Sequence, residues 1–283
     1  MEIRNVTVVG LGTMGSQIAV VCARAGFRTD AVEATQERAD AGWKAIGKFL
    51  EGQVQKGKLE GLARDEIASR ITLWTDLAPG CRDADLVIEA IPEAIALKRD
   101  LFGMLDRLCP PHAILASNTS TLWISEIAAA TRRPEQCIGT HFLIPAASTP
   151  LVEVVRGART SDETHRAALD FLARCGKETV TVADAPGFVI NRLYLPLVNE
   201  AFFVLESGLA SAEEIDRSCL KGLGFPLGPL AAADAFGLDV LLACLETLHR
   251  ELGDKYRPCP LLVRLVRAGC LGRKTGQGVF AYA

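Results

Sequence analysis

Apolar and polar residues follow two rhythms along this chain, and the change between them marks its organisation. Up to about residue 185, short apolar runs alternate with stretches whose apolar positions recur at helical spacing. Runs at residues 6–9, 28–33, 71–73, 85–89, 113–116, 136–141, 151–155 and 178–182 predict strands. Met14, Ile18, Ala19, Val21 and Cys22 predict the first helix, and Ala39, Trp43, Ile46 and Leu50 a long one over 35–55, stopped by Lys56-Gly57-Lys58. A short helix near 65–68 and longer ones over 95–108 and 162–175 complete the alternation. Strands alternating with helices imply an α/β fold of the Rossmann type. Its doubly wound, largely parallel sheet receives ligands at the carboxyl ends of the strands.

After Ala185-Pro186-Gly187 the strands stop and the pattern is helical. It predicts helices over 188–206, from Ser211 with Glu214 as a capping box, over 229–252 and over 260–268. The expected division is 1–185 for the α/β domain and 186–283 for an all-helical C-terminal domain, aliphatic enough to form a dimer interface.

Composition narrows the function. The chain has 283 residues, 49% hydrophobic and 23% charged, enough for one large and one smaller globular domain. A net charge of -3 gives nucleic-acid binding no support. No apolar run reaches the roughly 18 residues that a membrane helix needs, and the first apolar run ends in glycines rather than forming an export leader. Nine cysteines without C-x-x-C pairing read as reduced thiols of a cytoplasmic protein. The histidines at 112, 141, 165 and 249 are scattered, so no metal site is expected.

The first run ends in Gly10-Leu11-Gly12-Thr13-Met14-Gly15 and opens directly into a helix. Glycines let the backbone approach a dinucleotide pyrophosphate, and the helix N-terminus offers N–H donors. The motif alone also fits an ordinary strand–helix turn. Glu33, at the end of the second strand, stands where an acid binds the adenosine ribose and repels a 2′-phosphate, which favours NAD over NADP. Nearby Arg38 softens that preference, and a solvated acid leaving a strand is the other reading of Glu33.

A dinucleotide fold with a second domain suggests hydride transfer, which needs a base for the hydroxyl proton. His141 ends a strand, and Glu153 lies within the apolar run of 151–155, where a carboxylate requires a partner. Paired, they form a base with a fixed tautomer; Ser120 and Asn191, at other junctions, can reach a substrate oxygen. A structural His–Glu pair with Ser120 and Asn191 as helix caps fits the same spacing.

Six segments together carry a resemblance: the glycine motif, Ala-Ser-Asn-Thr-Ser-Thr-Leu (116–122), His141-Phe142 with Pro145, Leu-Val-Glu-Val-Val-Arg-Gly (151–157), Pro-Gly-Phe-Val-Ile-Asn-Arg (186–192) and Leu-Gly-Arg-Lys-Thr-Gly-Gln-Gly (271–278). Over essentially its whole length the chain resembles the L-3-hydroxyacyl-CoA dehydrogenase family, most closely the short bacterial 3-hydroxybutyryl-CoA form. The resemblance implies an NAD-binding domain, a helical substrate and dimerising domain, and an active site between them. It implies His141 as general base, Glu153 as its acid partner, and Ser120 and Asn191 as hydrogen-bonding partners of the substrate oxygen. Glu33 matches the ribose acid, Glu93 and Lys98 lie toward the nicotinamide, Asn118 lies in the loop beneath it, and Lys56 lies near coenzyme A.

The family's asparagine after His-Phe-Phe is Ile144 here, its Val-Met-Lys is Ser148-Thr149-Pro150, and one of two coenzyme A lysines is Gly52. The expected reaction is therefore NAD-dependent oxidation or reduction at C3 of a short-chain acyl thioester. The departures keep an acyl carrier protein or a free 3-hydroxy acid open beside coenzyme A. A non-catalytic NAD-binding relative is the rival of a different class.

Overall fold

The computed structural model describes residues 2–282, which divide into two compact units, one ending at Asp184 and the other starting at Ala185. The first unit is built on eight strands: β1 (Asn5–Val9), β2 (Arg28–Val32), β3 (Ile71–Trp74), β4 (Leu86–Glu89), β5 (Ile114–Ser117), β6 (Cys137–Phe142), β7 (Leu151–Arg156) and β8 (Glu178–Ala183). They form one sheet in the order β3-β2-β1-β4-β5-β6-β7-β8. Strands β1 to β6 pair in parallel; β7 runs antiparallel to β6, and β8 is parallel to β7. The order reverses between β1 and β4, the place where such sheets open a crevice for a ligand.

The central strands are apolar on both faces, so both faces of the sheet are covered there. Along β4, Leu86 and Ile88 join one buried cluster while Val87 joins another, as the two-residue period of a strand requires. The first cluster takes in α1 (Thr13–Arg24), α2 (Gln36–Gln55), α3 (Gly61–Ser69) and, further along, Phe171 and Leu172 of a later helix. The second packs α4 (Leu77–Cys81), α5 (Ile95–Leu108) and α6 (Ile124–Ala128) through Cys81, Leu101, Phe102, Leu105 and Ile127. The later helix is α7 (Asp162–Arg174), opened by Ser161, whose hydroxyl accepts the Thr164 N–H, with Asp162 and Glu163 in its first turn. Thr35 caps α2 in the same way. The very short α4 and α6 are additions to the elements expected from periodicity.

The second unit is helical, with α8 (Ile190–Glu206), α9 (Ala212–Gly222), α10 (Pro229–Phe236), α11 (Leu238–Leu252) and α12 (Pro260–Arg267). Phe202, Leu230, Leu238, Leu245, Leu248 and Leu262 form its core. Ser211 opens α9 as its N-cap, its hydroxyl accepting the Glu214 N–H, while the Glu214 carboxylate accepts Arg217 Nη1 at 3.4 Å. The helix expected over 229–252 is two helices. Gly237 takes a φ of +104° and breaks it, and Leu238 N donates to Leu271 O across the break. A Cβ at Gly237 would meet Asp239 Oδ1 at 2.9 Å and Lys274 Nζ at 3.0 Å. The chain's end folds back on α10, where buried Asp234 accepts Val279 N, Phe280 N (both 2.9 Å) and the Tyr282 hydroxyl (3.0 Å).

Candidate active site

The crevice at the sheet's reversal begins with the glycine motif. Gly10 turns the chain out of β1 at a φ of +92°, tied by its N–H to Val32 O at 2.8 Å. A Cβ at Gly15 would stand 1.7 Å from the Gly10 carbonyl oxygen, so this glycine lets α1 pack against the turn. Gly12 differs: a Cβ there would meet nothing within 4 Å. The fold itself does not require glycine at that position, whereas a group lying against the loop would. Gly12 is also the N-cap of α1, which has no side-chain cap and no acid in its first turn; Thr13 is exposed and Met14 half-buried. An uncapped, acid-free helix start beside an open glycine fits a pyrophosphate.

Glu33 lies just past β2. Its side chain is 12% exposed, with Oε2 accepting Leu11 N at 2.9 Å and Oε1 accepting Ala34 N at 2.8 Å. It is thus bound to the glycine turn rather than solvated. Arg38 Nη1 approaches to 3.9 Å. These features suit the ribose end of NAD: a fixed carboxylate beside a backbone cradle.

Across the crevice, the carboxyl ends of β4 and β5 carry a buried polar ring. Lys98, on α5, is 1% exposed and Glu89, closing β4, is 0% exposed; Nζ and Oε1 are 2.5 Å apart. Lys98 Nζ also lies 3.3 Å from Glu93 Oε2. Glu93 Oε1 accepts the Thr119 hydroxyl (2.6 Å), Ser120 N (2.9 Å), Thr121 N (3.0 Å), the Thr121 hydroxyl (3.1 Å) and the Ser120 hydroxyl (3.3 Å). The ring closes through Ser117, whose hydroxyl donates to Glu89 Oε2 at 2.6 Å and accepts Thr119 N at 3.2 Å. Burial pushes the Glu89 carboxyl above the ordinary range despite Lys98. Glu93 is held below that range: burial opposes ionisation, but Lys98 and the Thr119, Ser120 and Thr121 donors outweigh it.

Asn118 ties this corner to the next strand, since its Oδ1 accepts Phe142 N at 2.9 Å. One residue earlier on β6 is His141. The antiparallel turn to β7 puts Glu153 directly opposite it in register, with His141 Nδ1 2.7 Å from Glu153 Oε2 and both side chains buried. The connecting loop is braced from beneath by Lys177, whose Nζ donates to Ala146 O (2.6 Å) and Thr149 O (2.7 Å). Ile144 stands exposed on that loop.

The first unit therefore brings together Glu93, Lys98, Asn118 and Ser120 in one network, and His141 with Glu153 in another. Lys56 is the C-cap of α2, on an exposed stretch, and Gly52 faces open space. Asn191 lies in the second unit, in the first turn of α8, whose N-cap is Val189; the N-cap of α6 is Trp123, so neither Asn191 nor Ser120 is an N-cap. Glu89, Ser117, Thr119 and Thr121 are additions to the residues singled out from sequence. Glu89 carried a signal related to that of Glu153, a carboxylate joined to an apolar run: Glu153 lies inside its run, Glu89 at the end of its own. Among the described residues no three His, Cys, Asp or Glu side chains cluster as metal ligands, and no helix is long and apolar enough to cross a membrane.

Comparison with known proteins adds names to this geometry. Residues 5–185 match the family "3-hydroxyacyl-CoA dehydrogenase, NAD binding domain", and residues 187–282 match "3-hydroxyacyl-CoA dehydrogenase, C-terminal domain". A probable 3-hydroxybutyryl-CoA dehydrogenase of Bacillus subtilis is 48% identical over 286 residues, covering 100% of this chain and 98% of the relative. The human mitochondrial hydroxyacyl-coenzyme A dehydrogenase is 38% identical over 287 residues, covering 99% of this chain and 91% of the relative. The crystal structure of (S)-3-hydroxybutyryl-CoA dehydrogenase from Ralstonia eutropha is similar at a TM-score of 0.93 and 42% identity, with 100% of each chain covered.

Proposed function

The chain belongs to the 3-hydroxyacyl-CoA dehydrogenase family and is an NAD-dependent oxidoreductase, and on that premise we propose how its residues divide the reaction and which acyl carrier it takes. His141 removes the proton from the 3-hydroxyl of a short-chain 3-hydroxyacyl-CoA. Glu153, held against Nδ1, fixes the imidazole tautomer, so that Nε2 is the atom that receives the proton, and it stabilises the imidazolium that results. Ser120 and Asn191 donate hydrogen bonds to the substrate oxygen as it becomes a carbonyl. NAD, when bound, supplies the acceptor for the hydride that leaves C3. Gly10, Gly12, Thr13, Met14 and Gly15 cradle its pyrophosphate, Glu33 holds its adenosine ribose, and Glu93, Lys98 and Asn118 line its nicotinamide end. In the reverse direction the imidazolium returns its proton to the oxygen.

The single observation that carries this reading is the buried His141–Glu153 pair. A base with a carboxylate behind it suits an alcohol that must lose proton and hydride together. Coenzyme A is the proposed carrier, with Lys56 beside its phosphates, because the relatives named above are acyl-CoA enzymes over nearly the whole chain. The decisive experiment offers one 3-hydroxybutyryl group on coenzyme A, on acyl carrier protein and as the free acid, and follows NADH formation. Dominant turnover of the coenzyme A ester supports the reading; dominant turnover of either other form replaces it.

The helical unit exposes Leu193, Leu209, Leu223 and Val240, which supports a homodimer formed through that unit. Cys22, Cys81, Cys109, Cys137, Cys175, Cys219, Cys259 and Cys270 are free thiols, in keeping with a cytoplasmic location. Light scattering after size exclusion tests the dimer: a monomer at assay concentration removes it.

A further inference from the structure

The ring at the ends of β4 and β5 contains a buried carboxylate, Glu89, to which none of the roles above is given. Glu89 reaches the Ser120 loop by two routes. One runs through Lys98 to Glu93, whose Oε1 accepts both Ser120 N and the Ser120 hydroxyl. The other runs through Ser117, which donates to Glu89 and accepts Thr119 N. Glu89 itself is fixed by a third donor, Ile91 N at 2.8 Å, and Lys98 also donates to Ile91 O at 3.2 Å. The carboxylate thus sits where both routes begin, at the crevice end of β4, next to β1 in register (Val9 opposite Glu89).

We propose that Glu89 is a positioning residue for the reaction, closing the buried ring that sets the place of Ser120. The physical case rests on what a buried ammonium requires. Lys98 is enclosed, so its charge needs an equally enclosed partner, and Glu89 is that partner. Glu93, whose side chain is 32% exposed, is the outer carboxylate and stands at the longer distance of 3.3 Å. With the inner carboxylate neutralised, Lys98 has only Glu93 as counter-ion and draws it inward, away from the five donors of residues 119–121. Ser120 then loses the fixed acceptor beneath its backbone and hydroxyl. The weakest of those five contacts is the Ser120 hydroxyl itself, at 3.3 Å, the one it must give up to donate to a substrate oxygen. The ring therefore holds the backbone firmly and the hydroxyl loosely, as a pre-organised donor requires.

This inference rests on the reading of Ser120 as a substrate donor, and the test separates the two. Glu89→Gln, Ser120→Ala and the double variant are compared for kcat, for KM of NAD and of 3-hydroxybutyryl-CoA, and for the primary isotope effect with deuterated NADH in the reductive direction. Glu89→Gln is expected to lower kcat by about ten- to a hundredfold with a smaller change in either KM and a raised isotope effect, since the loss falls on the chemical step. In the Ser120→Ala background the same change is expected to cost far less, because the two act as a unit. A folded Glu89→Gln enzyme with wild-type kcat, or a cost that multiplies in full in the double variant, overturns the proposal. An impaired Glu89→Gln beside a silent Ser120→Ala overturns the role of Ser120 as well. Should Glu89→Gln lose its cooperative melting transition, Glu89→Asp takes its place in the same comparison. It keeps the charge but shortens the reach to Lys98, and wild-type kinetics for it overturn the proposal equally.

Discussion

His141 and Glu153 face each other across the antiparallel strand pair of an otherwise mostly parallel sheet, with Nδ1 2.7 Å from Oε2. The hairpin makes them partners by register, so the pair is rigid before any ligand arrives. His141→Ala is expected to lower kcat by about 10²–10⁴-fold, the usual contribution of a general base. NADH binding, followed by its fluorescence, should be retained. Glu153→Gln should fold, bind NADH and lose roughly 10²-fold or more in kcat, because the amide supports the tautomer poorly and the imidazolium not at all. Wild-type turnover in either variant removes the pair from the mechanism.

Two glycines of one motif should fail differently. Gly15→Ala forces a Cβ into the Gly10 carbonyl and is expected to destabilise the enzyme by about 1–3 kcal/mol or more, seen as a lower Tm without ligand. Gly12→Ala meets open space, so its Tm without ligand should be close to wild type while the KM for NAD rises about tenfold or more. Equal thermal losses in both would contradict the distinction.

Glu33 grips the glycine turn through Leu11 N and so links cofactor choice to loop shape. Glu33→Ala is expected to raise the KM for NAD and to narrow the preference over NADP, with Arg38 then able to meet a 2′-phosphate. Parallel kcat/KM measurements with both cofactors check this; an unchanged ratio would count against Glu33 as the discriminating acid.

Stability should carry an acid-sensitive component from Asp106, a buried residue of α5. Burial pushes its carboxyl up, but hydrogen bonds from Arg132 and Arg133, both at 2.9 Å, outweigh burial and hold it below the ordinary range. A carboxyl whose folded pKa is depressed stabilises the fold above its unfolded value of about 3.9, and that contribution is lost as pH falls through the folded value. Asp106→Asn should therefore melt lower than wild type near neutral pH, with the gap closing below about pH 4. A gap that stays constant into acid would show that charge is not its source.

Much of this was legible in the residues because the signals were local. The apolar face of α5 and the helix-stopping Lys56-Gly57 fixed those elements closely, and Thr35 and Ser211 cap helices as their types suggest. The direction of β7 was less plain, since an apolar run looks the same either way. The loop before it, 143–150, held the clue: it is shorter than the dozen or so residues of a parallel crossover. The break at Gly237 was invisible because α10 and α11 are both apolar at helical spacing and a lone glycine is tolerated within a helix. Lys98 with Glu89 shows the deeper limit. Nothing in one sequence says that a lysine nine residues from a glutamate has no water around it.

The fold-back onto Asp234 ties the helical unit's completion to the last few residues. A buried carboxylate that draws all three of these donors from 279–282 is left with an uncompensated charge whenever that stretch is missing. A stretch far along the chain from α10 thus supplies the donors that its buried carboxylate needs, and α10 without residues 279–282 lacks all three of them.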